Sequence, residues 1–116
     1  MDLIKGTLDV LILKTLSWEP MHGYGISKTI RTYTRDVFRV EEGALYPALR
    51  RLEKKGLVSA RWGRTETSRE AKFYSLTVAG RSHLEHKMGE WGEYVEAMSR
   101  VLHSTGPDLH STGPGK

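Results

Sequence analysis

The sequence contains no cysteine, only four prolines, and no apolar run long enough to cross a membrane. Without cysteine, disulfides, thiolate zinc sites and cysteine nucleophiles are excluded. The longest apolar run, residues 10–13, falls far short of the roughly 20 residues that a membrane-spanning helix needs. The amino terminus also lacks the basic start and small-residue cleavage site of a signal peptide. We therefore expect one cytoplasmic domain with no membrane partner.

Catalytic and cofactor motifs are absent as well. The sequence has no phosphate-binding loop, no nucleophile elbow and no paired-carboxylate motif, so we predict that the protein is not an enzyme and holds no cofactor. The possible metal ligands His83, Glu85, His86 and Glu90 lie on one predicted helix. Because a closed site needs ligands from a second element, we predict no metal.

Acidic residues are scarce in the middle of the chain. Residues 28–72 contain twelve basic and six acidic residues, whereas residues 81–102 contain three basic residues and four glutamates. The net charge of +4 and the isoelectric point near 9.5 therefore originate in the middle segment. This concentration of positive charge favours contact with a polyanion.

Apolar residues at intervals of three and four predict two helices in the first third of the chain. The first covers residues 3–17, and the second begins near Met21 or His22, after the break at Pro20. The glycines in the first turn of the second helix allow another backbone to come close. Residues 37–40 have β-type composition and predict a short strand.

The segment EEGALYPALRRLEKKG, residues 41–56, predicts an amphipathic helix that ends at Gly56. Its two opening glutamates suit the positive end of the helix dipole, and Pro47 removes one early hydrogen bond and loosens the first turn. One face is apolar, with Leu45, Leu49 and Leu52. The opposite face is small and then basic, with Gly43, Pro47, Arg50 and Lys54.

The next segment changes to strand periodicity. Residues 57–63 and 71–77 predict a β-hairpin with a long, mobile tip at residues 64–70, because no glycine or proline there fixes a tight turn. Trp62, Phe73 and Tyr74 are expected to pack within the hairpin.

Thr77 then predicts an N-cap for a helix that runs to about Leu102. Apolar residues recur along this helix at spacings of four and three, which is a heptad seam that requires a partner surface. Because the first three helices and the hairpin suffice for a core, we expect a second copy of the chain as the partner. The predicted dimer interface consists of Leu84, Met88, Trp91, Val95, Met98 and Leu102.

The order of elements predicts a fold that is mainly α with a small β-hairpin, a winged helix-turn-helix followed by a long C-terminal dimerisation helix. We divide the chain into a DNA-binding domain, residues 1–76, a dimerisation helix, 77–102, and a disordered tail, 103–116, in which HSTGP occurs twice. The predicted DNA-binding residues are Tyr24, Gly43, Ala44, Tyr46, Pro47, Arg50, Arg51, Lys54, Arg61, Arg64, Arg69 and Lys72.

Two alternative interpretations fit the same sequence features. A basic helix face can be simply solvated, and the wing charges fit solubility as well as they fit phosphate contact. A winged helix can also serve as a protein-interaction module, which would bind DNA weakly and without sequence preference.

The stretches GTLDVLILKTLSWEPMHGYGI, EEGALYPALRRLEKKGLV and AKFYSLTVAGR closely resemble the PadR family of bacterial transcriptional regulators. The resemblance runs from about Gly6 to Val101, and the short carboxyl-terminal part is similar to the subfamily with a single dimerising helix. It implies a homodimeric repressor of stress, detoxification or efflux genes that binds a palindromic operator in double-stranded DNA. A small aromatic effector often releases such repressors from DNA.

The resemblance also carries roles to individual residues. It implies DNA contacts for Tyr46, Arg50 and Arg51 of the recognition helix and for Lys72 of the wing. It further implies that Tyr24, with the start of its helix, meets phosphate. Trp91 matches a tryptophan that stacks on flat drugs in some relatives, although a tryptophan on a helical seam more often packs an interface.

Overall fold

The computed structural model describes residues 6–107, in four helices and three strands. They are α1 (Thr7–Leu16), β1 (Met21–His22), α2 (Gly23–Tyr33), α3 (Glu42–Lys54), β2 (Val58–Arg64), β3 (Glu70–Leu76) and α4 (Val78–Leu102). This order confirms the predicted winged helix-turn-helix with a long final helix. The first predicted helix begins at Thr7 within the described residues, and its residues 3–5 lie outside them.

One apolar core joins the first three helices to the base of the sheet. Its fully buried side chains come from α1, α2, α3 and β2, namely Ile12, Leu13, Ile26, Leu45, Leu49, Leu52 and Val58. The apolar face predicted for residues 41–56 is therefore the face that α3 buries. Burial of this kind contributes about 1.5–3 kcal/mol to the free energy of unfolding for each large aliphatic side chain. It also determines which side of α3 is exposed to solvent.

The sheet has three antiparallel strands in the order β1-β3-β2. The hairpin is confirmed, but the third strand was not predicted: Met21 and His22 pair with Tyr74 and Phe73. The strand predicted at residues 37–40 is wrong. In this segment, backbone groups are bonded to side chains: Phe38 N–H donates to the Thr34 hydroxyl, and Val40 C=O accepts from the Ser27 hydroxyl. The edge of β3 that is not paired with β2 is paired with β1.

Helices α2 and α3 end in the same hydrogen-bonded cap. After α3, Gly56 N–H donates to Glu53 C=O and Leu57 N–H donates to Leu52 C=O, with Gly56 at φ +75°. This confirms Gly56 as the residue that ends the helix. After α2, Arg35 and Asp36 make the equivalent two bonds to Thr32 and Arg31, although Arg35 is not a glycine.

The hairpin tip is shorter than predicted and is closed by hydrogen bonds. The strands extend to Arg64 and from Glu70, and Ser68 N–H donates to Thr65 C=O to close a tight turn. Ser68 adopts φ +64°, the left-handed conformation that glycine usually supplies. The expectation of a long loop failed because a serine occupies the position at which we looked for glycine.

The start of helix α4 is hydrogen-bonded to, and packed against, the rest of the domain. Thr77 Oγ1 accepts from Gly80 N–H at 2.9 Å, which confirms the predicted N-cap, and donates to Gly56 C=O at 2.7 Å. Gly80 lies against the Leu57 carbonyl, where a side chain would collide. Leu84 is 3% exposed and belongs to the core. Its assignment to a dimer interface is therefore corrected: the domain's own packing already covers it.

Beyond Leu84, α4 extends away from the domain. No residue from 85 to 102 is buried, and the molecule measures 71 × 29 × 21 Å. Of the predicted tail, residues 108–116 lie outside the described part. Among the helices described, none has the length and hydropathy that a bilayer crossing requires.

Candidate nucleic-acid interface

Pro47 lies near the start of α3, where the sequence predicts that it removes one hydrogen bond. Glu41 is the N-cap, without a side-chain bond to the helix, and its carbonyl accepts from both Ala44 and Leu45. Pro47 lies inside the helix and has no N–H to donate to the Gly43 carbonyl one turn back. Gly43 and Ala44 are exposed. The outward surface at this end of α3 is thus narrow enough for close approach to another molecule.

Further along α3 the outward surface becomes basic. Pro47, Arg50 and Lys54 line one open groove together with Arg51 and Glu53. Arg50 and Lys54 are exposed, and neither has an ion-pair partner within residues 6–107. Two unpaired cations, one helical turn apart, can donate hydrogen bonds to phosphate or to base edges without first breaking an ion pair inside the protein.

Two predicted DNA-binding residues are already paired. Arg51 Nη2 lies 2.9 Å from Asp9 Oδ1 of α1, and Lys72 Nζ of β3 lies 3.9 Å from Glu53 Oε1 of α3. These pairs connect both flanks of α3 to neighbouring elements. Exposed pairs of this type contribute at most about 1 kcal/mol each, so they orient the helix more than they stabilise it.

Tyr46 lies between α3 and α2, away from the outermost surface of α3. It is half-buried, and a side chain added at Gly23 would overlap the Tyr46 ring and hydroxyl. The absence of a side chain at Gly23 therefore lets α2 approach α3. The predicted close approach at these glycines is found here, with a tyrosine side chain where we expected a backbone.

Tyr24 is 70% exposed at the start of α2. Its ring stacks on His22 with centroids 6.3 Å apart, and His22 in turn contacts Phe73 of β3 edge-on. His22 is the N-cap of α2, since its Nδ1 accepts from Gly25 N–H at 3.1 Å. The sequence placed the helix start correctly but gave no sign of this capping role.

The wing divides its basic residues between two faces. The cross-strand pairs Trp62↔Lys72 and Arg64↔Glu70 lie on the face that reaches Glu53 of α3, whereas Arg61↔Phe73 lies on the other face. Arg64 also donates to the Ser68 carbonyl and braces the turn. Arg69 lies exposed in the turn itself.

Trp62 does not pack within the hairpin as predicted. It is 68% exposed, while Tyr74 is buried and Phe73 is half-buried. Burial raises the pKa of the Tyr74 hydroxyl, which keeps it neutral. Only the base of the hairpin is covered by the core, and Trp62 lies beyond it.

A further basic surface was not assigned at the sequence level. Tyr24, Lys28, Arg31 and Arg35 are all exposed on one side of α2 and line a groove that also contains Asp36. Arg31 Nε bonds Asp36 Oδ1 at 2.8 Å, and this bond lowers the pKa of the Asp36 carboxyl. The signal was available in the sequence as spacings of four, three and four residues between these positions.

The distal half of α4 exposes the remaining seam residues. Met88, Trp91, Val95 and Met98 are each between 42% and 44% exposed, and Leu102 is 68% exposed. Trp91 stacks on Tyr94 with centroids 5.5 Å apart. His86 pairs with Glu90 on the same helix. Within residues 6–107, no three histidine, aspartate or glutamate side chains are grouped to hold a metal ion.

An outward basic helix, braced by two helices and flanked by a hairpin, defines a winged-helix DNA-binding protein. The model of the PadR-like family of transcriptional regulators matches residues 12–86. The chain therefore belongs to the PadR-like family, whose members act as DNA-binding transcriptional regulators.

The chain is also similar to individual proteins over most of its length. An uncharacterized protein X of Lysinibacillus sphaericus is 35% identical over 101 residues, which cover 87% of this chain and 93% of that protein. A transcriptional regulator from Clostridium thermocellum has 32% identity and a TM-score of 0.75, over 83% of this chain and 90% of that one. A PadR family regulator from Clostridium difficile has 33% identity and a TM-score of 0.73, over 84% and 99%.

Proposed function

We propose that the protein is a homodimeric repressor that binds a palindromic operator and controls stress, detoxification or efflux genes. The observation that carries the proposal is the outward face of α3, where Arg50 and Lys54 are exposed and unpaired within the described residues. A cationic helix face with an unobstructed first turn suits the major groove.

The proposal gives different tasks to the basic residues. Arg50 bonds a guanine edge or clamps a phosphate, and Lys54 meets phosphate further along the groove. Arg61, Arg64 and Arg69 of the wing contact the flanking backbone. Arg51 and Lys72 hold α3 in place through Asp9 and Glu53 and have a smaller direct share in binding.

Dimerisation through α4 completes the proposal. The exposed apolar residues from Met88 onward form one stripe, and such a stripe requires a covering surface. In a two-fold dimer, the two α3 helices would meet successive half-sites of a palindrome. The stacked pair Trp91 and Tyr94 offers a flat apolar surface that a small aromatic effector could share. Adding planar aromatic compounds to the protein–DNA complex tests that component.

The competing function is a winged-helix module that binds a partner protein through the same surfaces. The two functions differ in their DNA binding, since the module predicts weak binding without sequence preference. Selection of bound sites from random or genomic DNA with the purified protein separates them. A palindromic site would support the regulator, and a pool without any enriched sequence would contradict it.

The first prediction concerns Arg50. Arg50→Ala should weaken operator binding by about 5- to 150-fold per half-site, because a bidentate contact to a guanine edge is worth about 1–3 kcal/mol. The dimer and its melting temperature should not change, since the side chain is exposed. Gel shifts and thermal melting measure both quantities.

Arg51→Ala is the matched control for this experiment. It removes the same charge from the adjacent position, but from a guanidinium that is bonded to Asp9. We expect a clearly smaller loss of affinity. If Arg50→Ala bound the operator as the wild type does, α3 would not be the recognition helix.

A further inference from the structure

We propose that each operator half-site contains a T·A base pair directly beside the guanine that Arg50 contacts, and that Ala44 and Pro47 recognise this pair through the methyl group of thymine. We call these two residues the Ala44–Pro47 patch. This recognition rests on the proposed function and specifies which base pairs α3 distinguishes.

The chain lacks the side chains that usually read adenine. It contains no asparagine and no glutamine, whose amides bond N6 and N7 of adenine in the major groove. Helix α3, EGALYPALRRLEK, also lacks serine and threonine. Tyr46 carries the one hydroxyl of α3 and is half-buried against Gly23 of α2. An A·T pair that faces α3 must therefore be distinguished by its other unique feature, the thymine methyl group.

The two glutamates of α3 do not alter this conclusion. A carboxylate in the groove would select cytosine. Glu53 is paired with Lys72 of the wing. Glu42, projected at about 100° per residue, falls on the side of the helix that carries the buried Leu49. Neither carboxylate belongs to the outward line that runs from Gly43 to Lys54.

The outward surface of α3 is apolar for about one turn before it becomes basic. Ala44 is exposed, and Pro47 lines the same open groove as Arg50. A side chain added at Gly43 would meet nothing within 4 Å, so no group of the described residues obstructs access to this turn. The Ala44 methyl and the Pro47 ring thus offer the small apolar surface that a thymine methyl group contacts.

The spacing along α3 places this contact beside the guanine. Pro47 and Arg50 are three residues apart, which corresponds to about 4.5 Å along the helix axis. Successive base pairs are about 3.4 Å apart. A helix that lies in the groove therefore presents the Pro47 ring and the Arg50 guanidinium to neighbouring base pairs.

Helix stability does not explain the proline. Proline is disfavoured inside a helix, because it lacks the N–H for one hydrogen bond and its ring crowds the preceding turn. The Pro47 ring lines the outward groove with Arg50 and Lys54. The helix therefore loses a hydrogen bond at the position where it gains an apolar ring on its outward face, as recognition of a methyl group requires.

The test uses the operator that the purified protein selects from random DNA, with each thymine replaced in turn by deoxyuridine. Deoxyuridine keeps the base pair and lacks only the methyl group. At the thymine beside the contacted guanine, affinity should fall about fourfold per half-site, the value of burying one methyl-sized group. Replacement of thymines outside the half-sites should leave affinity unchanged. Gel shifts measure each affinity.

Cytosine and 5-methylcytosine at the same position separate the methyl group from the identity of the base. A C·G pair lacks the methyl group and should bind more weakly than T·A. 5-Methylcytosine restores the methyl group, so it should bind about fourfold more tightly than cytosine.

A protein variant assigns the effect to the patch. Ala44→Gly combined with Pro47→Ala should reduce the ratio of thymine to deoxyuridine affinity to about twofold or less, because at least half of the apolar contact is removed. Lys54→Ala is the matched control on the same face. It should weaken binding to both DNAs by the same factor and leave the ratio unchanged. Thermal melting checks that both variants are folded.

The outcomes separate this recognition from the proposed function. If deoxyuridine at every half-site thymine bound as thymine does, or if the double variant kept the fourfold ratio, the Ala44–Pro47 patch would not read the methyl group. A selected palindrome without a T·A pair beside a G·C pair would contradict the patch alone. A pool without any enriched sequence would contradict the regulator, and the patch with it.

Discussion

At the scale of single residues, two glycines allow neighbouring elements to pack closely. Gly23 leaves room for Tyr46, and Gly80 lies against the Leu57 carbonyl. Gly89 has no such neighbour, because a side chain there would meet nothing within 4 Å. The same residue type therefore has opposite consequences along α4, and substitution to alanine can distinguish them.

We predict that Gly80→Ala lowers the free energy of unfolding by at least about 2 kcal/mol, because overpacking against an immobile carbonyl displaces the helix. Gly89→Ala is the matched control on the same helix and should raise it by up to about 1 kcal/mol through helix propensity. Urea unfolding at one fixed protein concentration measures both. Equal stability of the two variants would show that α4 does not pack on Leu57 as described.

At the scale of elements, hydrogen bonds and ion pairs between neighbouring elements determine how α3 and α4 are placed. The cap of α3 and the cap of α4 meet at one side chain, because Thr77 donates to Gly56 and accepts from Gly80. Helix α3 is held from both flanks, by α1 through the Arg51–Asp9 pair and by the wing through the Lys72–Glu53 pair. The orientation of α3 therefore depends on its contacts with both α1 and the wing.

We predict that Thr77→Ala lowers the free energy of unfolding by about 1–2 kcal/mol, since it removes an N-cap and leaves a carbonyl without its donor. Thr77→Ser retains the hydroxyl and should lose less than half as much. Thermal melting of both variants gives the comparison. A serine variant as unstable as the alanine variant would indicate that the methyl group, and not the hydroxyl, carries the contact.

At the scale of the whole molecule, α4 has two different halves. Leu84 packs into the domain, whereas Met88 and the seam residues after it are exposed on a helix that leaves the domain. The proximal half anchors α4, and the distal half exposes the apolar stripe that we propose as the dimer interface. The proposed dimer thus begins one turn later than the sequence pattern suggested.

We predict that Met88→Asp combined with Val95→Asp yields monomers in sedimentation experiments, because two charges would have to be buried in the interface. The variant should keep its helical circular dichroism, since both side chains lie outside the core. Leu84→Asp should instead unfold the domain. A double variant that sedimented as a dimer would place the interface elsewhere.

Much of the fold follows from local patterns. Periodicity predicted four helices and the hairpin, and Gly56 and Thr77 predicted two helix ends, because caps and amphipathic faces are properties of a few consecutive residues. The hairpin tip was mispredicted for a local reason, the left-handed conformation of Ser68, whereas the other errors involve partners that are distant in sequence. Residues 37–40 look like a strand, but the edge of β3 pairs with Met21 and His22 instead.

The same division applies to the candidate site. The sequence by itself determined the basic outward face of α3 and the missing hydrogen bond at Pro47, since each is written in one short segment. It also determined the family, which three separate stretches carry. Only the tertiary structure decided that Arg51 is bonded to Asp9, that Tyr46 packs on Gly23 and that Leu84 is already buried. Each of these depends on residues that are far apart in the chain and meet only when the helices pack, because the geometry between elements is not encoded in the periodicity of any one of them.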